Sequence, residues 1–245
     1  MFPQILSGGP AGLGKKHPLG RLPVHRWDVS PREALIIQKS LRPRVLVRDL
    51  KGLIRTVAGV DMAYTSNGKH FWAAVCLWDV ILEQVLEERW IRGRVRFPYI
   101  PGLLSFREAP GILEVLGLLQ RKPDAVLCDG QGIAHPRGLG LASHVGLFLQ
   151  IPTVGCAKRR LVGQHTEVGP HKGDQCPLIH RGRVLGAVLR TRERVKPVFV
   201  SPGNNVSVAR ASSLVLRCCT RYRIPEPLRR AHLLAGRFRK REEAS

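Results

Sequence analysis

A short apolar run that ends in an acid and two glycines constrains the fold of this chain more than any other feature. Residues 125–128 read Ala-Val-Leu-Cys, which has the length and composition of a strand buried on both faces. Asp129-Gly130-Gln131-Gly132 follows, so a carboxylate stands at the carboxyl end of a strand, where glycines let the backbone turn sharply. Ligands bind at this end of the strands in open α/β sheets. An ordinary Asp-Gly turn after a strand is the alternative interpretation.

A second acid lies in a similar setting earlier in the chain. Residues 56–64, TVAGVDMAY, predict a strand with Asp61 near its end, and Asn67-Gly68 predicts a hairpin to a second strand over 71–78. Alternating residues around 84–91 predict a third strand, which completes an antiparallel meander. If the first strand neighbours the strand over 125–128, Asp61 and Asp129 point into one crevice.

The remaining patterns predict helices and strands that alternate along the chain. Residues 30–33, Ser-Pro-Arg-Glu, combine a capping box with proline at the first helical position, which predicts a helix that ends at Arg42-Pro43. Further helices are predicted over 102–119, over 139–148 and from Ser207, and further strands over 151–156, 183–190 and 197–200, with a turn at 201–205. A meander followed by βα units predicts an α/β fold in which one mixed β-sheet is flanked by helices.

Composition predicts a single folded domain with short extensions. Residues 1–22 are rich in Gly and Pro and lack periodicity, which predicts a disordered leader. We expect one catalytic domain over 23–240 and a short tail over 241–245.

The excess of positive charge favours a polyanionic partner. The chain has 40 Lys+Arg against 18 Asp+Glu, a net charge of +22, which favours nucleic acid first and an anionic membrane second. No apolar stretch approaches the roughly 20 residues that span a bilayer, so no membrane partner is expected. The cysteines form no Cys-x-x-Cys pair, which predicts buried free thiols in a reducing cytosol and a cytoplasmic protein.

Three acids point to metal-dependent phosphodiester chemistry. Glu108 follows a loop bracketed by prolines, and with Asp61 and Asp129 it makes a set of hard oxygen ligands that suits Mg²⁺. A divalent ion there would offset the clustered negative charge, activate water and stabilise the leaving oxygen of a phosphodiester. Each acid also has a structural interpretation: Glu108 as the partner of Ser105 in a capping box, and Asp61 as the polar end of a strand.

Several other residues have two interpretations as well. His135 and His144 are either packing histidines or site residues, and Lys158 is either a phosphate contact or one solvated base among many. Tyr99, between prolines, is either a rigid exposed tip or a core aromatic. The basic run over 229–241 is either a nucleic-acid contact or a solvated face.

Taken together, eight motifs resemble the endonuclease V family. They are residues 59–61 (GVD), 98–102 (PYIPG), 106–108 (FRE), 129–132 (DGQG), 135–137 (HPR), 142–144 (ASH), 155–158 (GCAK) and 223–227 (RIPEP). Each motif alone is weak, whereas their unbroken order over about residues 24–235 makes a chance agreement very improbable.

The resemblance implies a ribonuclease H-like fold and a repair reaction. The family nicks DNA at the second phosphodiester 3′ of a deaminated base, chiefly deoxyinosine, and leaves 3′-hydroxyl and 5′-phosphate ends. It implies Mg²⁺ as the cofactor, with Mn²⁺ able to substitute, and a monomer that binds DNA containing deaminated bases. Some members act on inosine in RNA, so inosine RNA is an alternative substrate.

The resemblance also implies roles for individual residues. Asp61, Glu108 and Asp129 are the expected metal carboxylates, Lys158 holds a phosphate, and His135 lies near the metal water or the strand ends. The expected DNA wedge, Pro98, Tyr99, Ile100 and Pro101, fills the gap left by the flipped base, whose extrusion costs least where pairing is weak. The expected base pocket consists of Gly102, Leu104, Gly130, Gly132 and Leu141.

One position departs from the family pattern. The family carries a histidine after its Ser-Pro-Gly turn, and Asn204 occupies that position here. Because an amide can bind Mg²⁺ or donate to a phosphate but cannot titrate, we expect Asn204 to position metal or water. A turn residue is the alternative.

Two other functions compete with the inosine endonuclease. A non-catalytic nucleic-acid-binding protein would gain nothing from three acids that face phosphates. A ribonuclease H-like enzyme for RNA hybrids or branched DNA would not need the Pro-Tyr-Ile-Pro wedge.

Overall fold

The structure, a computed structural model, describes residues 25–243 and contains one central sheet. Its strands are β1 (Thr56–Tyr64), β2 (His70–Asp79), β3 (Gln84–Arg94), β4 (Ala125–Cys128), β5 (Thr153–Ala157), β6 (Gln175–His180), β7 (Arg183–Leu189) and β8 (Val198–Asn204). They lie in the order β3-β2-β1-β4-β5-β8-β7-β6. β1, β4 and β5 are parallel to one another and the other neighbouring pairs are antiparallel.

Helices cover both faces of this sheet. They are α1 (Pro31–Leu41), α2 (Leu104–Leu116), α3 (Leu141–Leu149), α4 (Val208–Arg217) and α5 (Glu226–Glu243), and a 3₁₀ turn at Arg42–Arg44 follows α1. α4 and α5 bury Val215 and Leu228 against one face, and α2 and α3 bury Ile112 and Val145 against the other. α1 packs outside this second layer through Ala34. Burial of apolar side chains on both faces therefore fixes the three layers.

The parallel strands give the sheet two chemically different edges. β1, β4 and β5 all end at one edge, hereafter the carboxyl edge, and all begin at the opposite one, the amino edge. β7 also ends at the carboxyl edge, and the β8 strand, which is antiparallel to β5, begins there and ends with Asn204 at the amino edge. Within residues 25–243, no helix is both long and apolar enough to cross a membrane.

The sequence predicts the main features of this architecture correctly. The capping box at α1 is confirmed, because the Glu33 amide donates to Ser30 Oγ at 3.3 Å and the Ser30 amide donates to the Glu33 carboxylate at 2.7 Å. The meander of β1, β2 and β3 is confirmed, and β4 is indeed the parallel neighbour of β1. The six cysteines are buried and free, as expected.

The structure also corrects several sequence predictions. The predicted turn at 201–205 is wrong, because β8 continues to Asn204, and Pro202 is tolerated beside an irregularity in the β5–β8 pairing. The capping box between Ser105 and Glu108 is wrong as well, since α2 runs from Leu104 through Pro110. β6 and α5 were not predicted.

The predicted domain ends have different outcomes. The leader over residues 1–22 lies outside the described residues. At the other end, α5 continues through Glu243, past the predicted boundary at 240, and the Arg92 side chain donates to Glu242 at 2.6 Å.

Candidate active site

Strand pairing brings the two predicted aspartates together at the carboxyl edge. Val60 pairs with Cys128 across the parallel β1–β4 ladder, so Asp61 and Asp129 are the next residues along adjacent strands. Glu108 approaches the same place from α2, in the helix layer that packs over this part of the sheet. The structure therefore assembles three acids that are 68 residues or less apart in sequence from three separate elements.

Two of the three carboxylates, Glu108 and Asp129, have raised pKa values. Desolvation and the charges of Asp61 and Asp129 raise the pKa of Glu108 to about 8. Desolvation and the charge of Asp61 raise the pKa of Asp129 as well. Partly buried like charges that face each other are unfavourable for folding, which is typical of a functional site.

Each carboxylate contacts a different polar neighbour. His232 Nδ1 lies 2.6 Å from the Asp61 carboxylate, Lys158 donates to Asp129 at 2.5 Å, and the Tyr64 hydroxyl donates to Glu108 at 3.0 Å. The hydrogen bond from His232 to Asp61 raises the pKa of His232. Lys158 and His232 offset part of the negative charge, and the pKa values of Glu108 and Asp129 nevertheless remain raised.

The donor set fits a divalent ion with an open coordination sphere. Among residues 25–243, no three or more His, Cys, Asp or Glu side chains are placed so that they could together hold a metal ion. Mg²⁺ is ordinarily held by one or two carboxylates and keeps water and substrate oxygens as its other ligands. The oxygen chemistry and the excess negative charge of Asp61, Glu108 and Asp129 match that kind of site.

His232 is a site residue that the sequence analysis missed. It lies on α5, whose first residues pack against β1 at Gly59, where a Cβ would collide with the backbone of Pro227 and Leu228. This close approach sets His232 opposite Asp61, which shares the α5-facing side of β1 with Gly59. The apolar spacing of Leu228, Ala231, Ala235 and Phe238 is helical and could have revealed α5, but the many basic residues suggested a tail instead.

A rigid loop projects beside the carboxylates. Pro98, Tyr99 and Pro101 are exposed, with 68% of the Tyr99 surface accessible, whereas Phe97 and Leu103 on either side are buried. Arg107 holds the loop through a hydrogen bond to the Phe97 carbonyl at 3.0 Å. The interpretation of Tyr99 as a core aromatic is therefore wrong, because its ring is exposed at the tip of an anchored loop.

Comparison with protein-family models matches residues 39–233 to the model described as Endonuclease V. The chain belongs to the endonuclease V family. An endonuclease V from Azotobacter vinelandii is 51% identical over 215 residues, which cover 88% of this chain and 97% of that protein. An endonuclease V from a Nostoc species is 50% identical over 213 residues, which cover 86% of this chain and 96% of that protein.

Solved endonuclease V structures share the fold. The Streptomyces avermitilis enzyme superimposes with a TM-score of 0.84 at 39% identity, over 89% of this chain and 96% of that one. The Ciona intestinalis enzyme, solved with a 24mer DNA containing an inosine followed by a ribo-adenosine, gives a TM-score of 0.76 at 25% identity, over 86% of this chain and 98% of that one. The ribonuclease H-like fold is confirmed, and the chain is an endonuclease with the divalent-metal requirement of its family.

In this endonuclease V, a buried network fixes the residue that follows the exposed loop. Gly102 has a φ of +81°, and its carbonyl accepts hydrogen bonds from Gln38 Nε2 at 3.0 Å and from Arg137 Nη2 at 2.6 Å. Gln38 is fully buried on α1, accepts from Arg137 Nε and also donates to the Leu139 carbonyl at 2.8 Å. These hydrogen bonds fix the position of Gly102 and therefore the end of the exposed loop.

His135 belongs to this network, and among the described residues its ring makes no hydrogen bond to Asp61, Glu108 or Asp129. Its Nδ1 accepts a hydrogen bond from the Arg137 amide at 3.2 Å, and its pKa is lowered to about 4 by desolvation and by the Arg137 charge. The expected place of His135 near the metal water or the strand ends stays a prediction.

One member of the expected base pocket is corrected, and the other four stay predictions. Gly130 and Leu141 are neighbours, since a Cβ on Gly130 would touch Leu141 at 3.5 Å. Leu104 begins α2, and Gly102 precedes it with its carbonyl engaged by Gln38 and Arg137. Gly132 is the correction, because its amide donates to Ser201 Oγ at 2.8 Å and its carbonyl accepts from Gly140 at 2.9 Å, so neither group is available to a base.

Asn204 lies outside the site. It ends β8 at the amino edge, opposite the carboxylates, and is 4% exposed. Its Oδ1 accepts from the Leu46 amide at 2.8 Å and its Nδ2 donates to the Gly146 carbonyl at 3.2 Å. The expectation that Asn204 positions metal or water is therefore wrong, because both ends of its amide are engaged at the amino edge. The histidine that contacts Asp61 is His232.

Proposed function

We propose that this endonuclease V nicks DNA at the second phosphodiester 3′ of deoxyinosine and leaves 3′-hydroxyl and 5′-phosphate ends. The observation that carries the proposal is the set of three mutually repelling carboxylates beside an exposed, anchored Tyr99 loop. The Ciona intestinalis relative, which was solved with inosine-containing DNA, supports the same substrate.

Asp61, Glu108 and Asp129 would hold Mg²⁺, and Mn²⁺ would substitute because it accepts the same oxygen ligands. A divalent ion at this position supplies Lewis-acid activation of water and stabilisation of the leaving oxygen. Lys158, beside Asp129, would bind a phosphate oxygen of the incised strand. His232 would hold a proton at Nδ1 against Asp61, which fixes the orientation of that carboxylate.

The loop of Pro98, Tyr99, Ile100 and Pro101 would recognise the lesion through base extrusion. Tyr99 would stack in the gap left by hypoxanthine, whose weak pairing lowers the cost of flipping. The flipped base would enter beside Gly102, Leu104, Gly130 and Leu141, where main-chain groups can approach it closely. Because Phe97 and Leu103 are buried and Gly102 is held by two side chains, the loop is positioned before DNA binds.

Inosine in RNA is the second candidate substrate. The ribo-adenosine that follows inosine in the Ciona intestinalis complex favours this alternative, since that enzyme accommodates a 2′-hydroxyl next to the lesion. A non-catalytic binding role does not explain the three acids, which would repel phosphates without a metal.

Cleavage of end-labelled oligonucleotides tests the proposal. Matched strands would carry one deoxyinosine, one inosine in RNA, or neither, with Mg²⁺, Mn²⁺ or chelator. We expect a single nick on the deoxyinosine strand with Mg²⁺ and none with chelator. Equal cleavage of modified and unmodified DNA would contradict the proposal, and faster cleavage of RNA would favour the second candidate.

We also propose that the enzyme acts in the cytoplasm. Six buried free thiols favour a reducing compartment, hence the cytoplasm. The site draws all its proposed residues from one chain, which is compatible with a monomer.

A further inference from the structure

Exposed cations surround one half of the carboxyl edge. They come from three loops: residues 158–160 after β5, residues 190–197 between β7 and β8, and residues 221–223 between α4 and α5. Besides Lys158, which contacts Asp129, six of them are exposed, namely Arg159, Arg160, Arg192, Arg194, Lys196 and Arg221. We call these six residues the basic surface.

Hydrogen bonds join the three loops and connect them to the active site. Arg223 Nη2 donates to the Lys158 carbonyl at 3.0 Å and to the Pro197 carbonyl at 2.8 Å. Thr191 Oγ1 donates to the Arg223 carbonyl at 2.6 Å. Since the Lys158 side chain itself contacts Asp129, the basic surface is continuous with the catalytic carboxylates.

The charges of the basic surface are not neutralised by the protein. None of the six residues takes part in an ion pair among residues 25–243. The three loops contain one acid, Glu193, whose Oε1 lies 3.2 Å from His171 Nδ1. Six like charges held on adjacent loops favour a polyanion as the ligand.

The composition of the surface favours a duplex backbone over a single strand. Proteins that hold single strands stack the bases on aromatic rings. The only aromatic residue in these loops is Tyr222, and the Arg229 guanidinium covers its ring at 4.2 Å from the centroid. Exposed arginines and lysines are the usual donors to phosphate oxygens, which receive about half to two-thirds of protein–DNA hydrogen bonds together with the sugars.

We propose that the basic surface binds the phosphate backbone of the undamaged duplex on one side of the deoxyinosine. The inference rests on the proposed function. The Tyr99 loop and the base pocket belong to the side of the sheet covered by α1, α2 and α3. The basic loops follow β5 and β7, away from these elements, so they would contact the DNA on one side of the lesion. This surface would hold the duplex in register while the lesion is extruded.

The test compares two matched charge removals. Arg192→Gln/Arg194→Gln removes two members of the basic surface. Arg181→Gln/Arg183→Gln removes two exposed arginines from the β6–β7 turn at the amino edge, with the same spacing and one left-handed arginine in each pair (φ +55° at Arg194 and +50° at Arg181). Affinity for an undamaged duplex of about 30 base pairs is measured at several salt concentrations. The slope of log K against log salt is negative, and each lost phosphate contact makes it less steep by about 0.9.

We expect Arg192→Gln/Arg194→Gln to make the salt slope less steep by about 1 to 2 and to lower the affinity near 0.15 M salt by about 10-fold. The amino-edge pair should change neither quantity. The single-turnover rate of the amino-edge pair on saturating deoxyinosine DNA should stay at the parent value. Equal slopes for the two pairs would overturn the inference. A parent enzyme that fails to prefer deoxyinosine would overturn the proposed function instead. With deoxyinosine duplexes that are lengthened on one flank only, the difference in salt slope between the two double variants should appear for one flank and not for the other.

Discussion

Two aspartates flank β4, and the protein treats them in opposite ways. Asp124, before the strand, accepts hydrogen bonds from the Arg55 amide, the Thr56 amide and Thr56 Oγ1, at 2.8 to 3.0 Å. Asp129, after the strand, has one bond to Lys158 and a pKa that desolvation and Asp61 raise. Asp124, with its hydrogen bonds complete, joins β4 to the start of β1. Asp129 stays in an unfavourable electrostatic environment, which is typical of a residue that binds a ligand.

The same contrast separates the buried amides from the carboxylates. Asn204 and Gln38 have both their donor and acceptor atoms engaged by the protein. Asp61, Glu108 and Asp129 lie where acids repel one another. Buried polar groups with complete hydrogen bonding stabilise a fold, and groups held against their own electrostatics indicate function.

The largest expected effect is the loss of cleavage when Asp129, the residue after β4, is replaced. Asp129→Asn should lower the single-turnover cleavage rate at least about 1,000-fold, equivalent to about 4 kcal/mol, because a metal carboxylate is lost. Its free energy of unfolding should stay equal or rise, since a repelled charge disappears. Asp124→Asn is the matched control and should retain cleavage while its denaturation midpoint falls. The reverse pattern would show that the two roles are wrongly assigned.

His232 sharpens the contrast on α5. His232→Ala should lower the cleavage rate about 10- to 100-fold, as expected when a partner that orients a metal ligand is removed. Its side chain is exposed, so the free energy of unfolding should not change measurably. Rates measured with limiting and saturating Mg²⁺ would separate weaker metal binding from slower chemistry. A parent-like rate at both concentrations would remove His232 from the site.

Asn204 should behave in the opposite way. Asn204→Ala leaves the Leu46 amide without its partner and removes one of the two donors to the Gly146 carbonyl, which should lower the free energy of unfolding by about 1–3 kcal/mol. The cleavage rate of the folded fraction should equal that of the parent. A loss of cleavage without a loss of stability would reinstate Asn204 as a site residue.

The smallest effect concerns pH and the buried His144. Its Nε2 lies 2.8 Å from His25 Nε2 and its Nδ1 lies 2.9 Å from Ser105 Oγ, and desolvation together with the His25 charge lowers its pKa well below the usual value. The unfolded chain takes up this proton near pH 6.5 and the folded chain does not, so stability should fall as pH drops below about 6.5, by at most about 1.4 kcal/mol per unit.

His144→Gln isolates this contribution, because glutamine does not titrate. Denaturant unfolding of both proteins between pH 7 and 5.5 should give a difference in the free energy of unfolding that shrinks as the pH falls. A constant difference would mean that His144 does not titrate between the two states.

Local pattern alone determined a large part of this protein. The capping box of α1, the meander of β1 to β3 and the buried β4 strand depend on nearest neighbours and periodicity, so residues 30–33 and 125–128 predict them directly. The motifs around Asp61, Glu108 and Asp129 likewise identified the acids and the family. What these residues share is that their environment follows from the strand or loop on which they stand.

Only the tertiary structure decided which histidine and which amide belong to the site. His232 reaches Asp61 because Gly59 lets α5 approach β1, and that contact spans 171 residues of chain. Asn204 is excluded because β8 continues past the apparent turn and carries it to the opposite edge, where two backbone groups take its amide. Both outcomes depend on packing between distant segments, and the free energy of such packing is not encoded in local spacing.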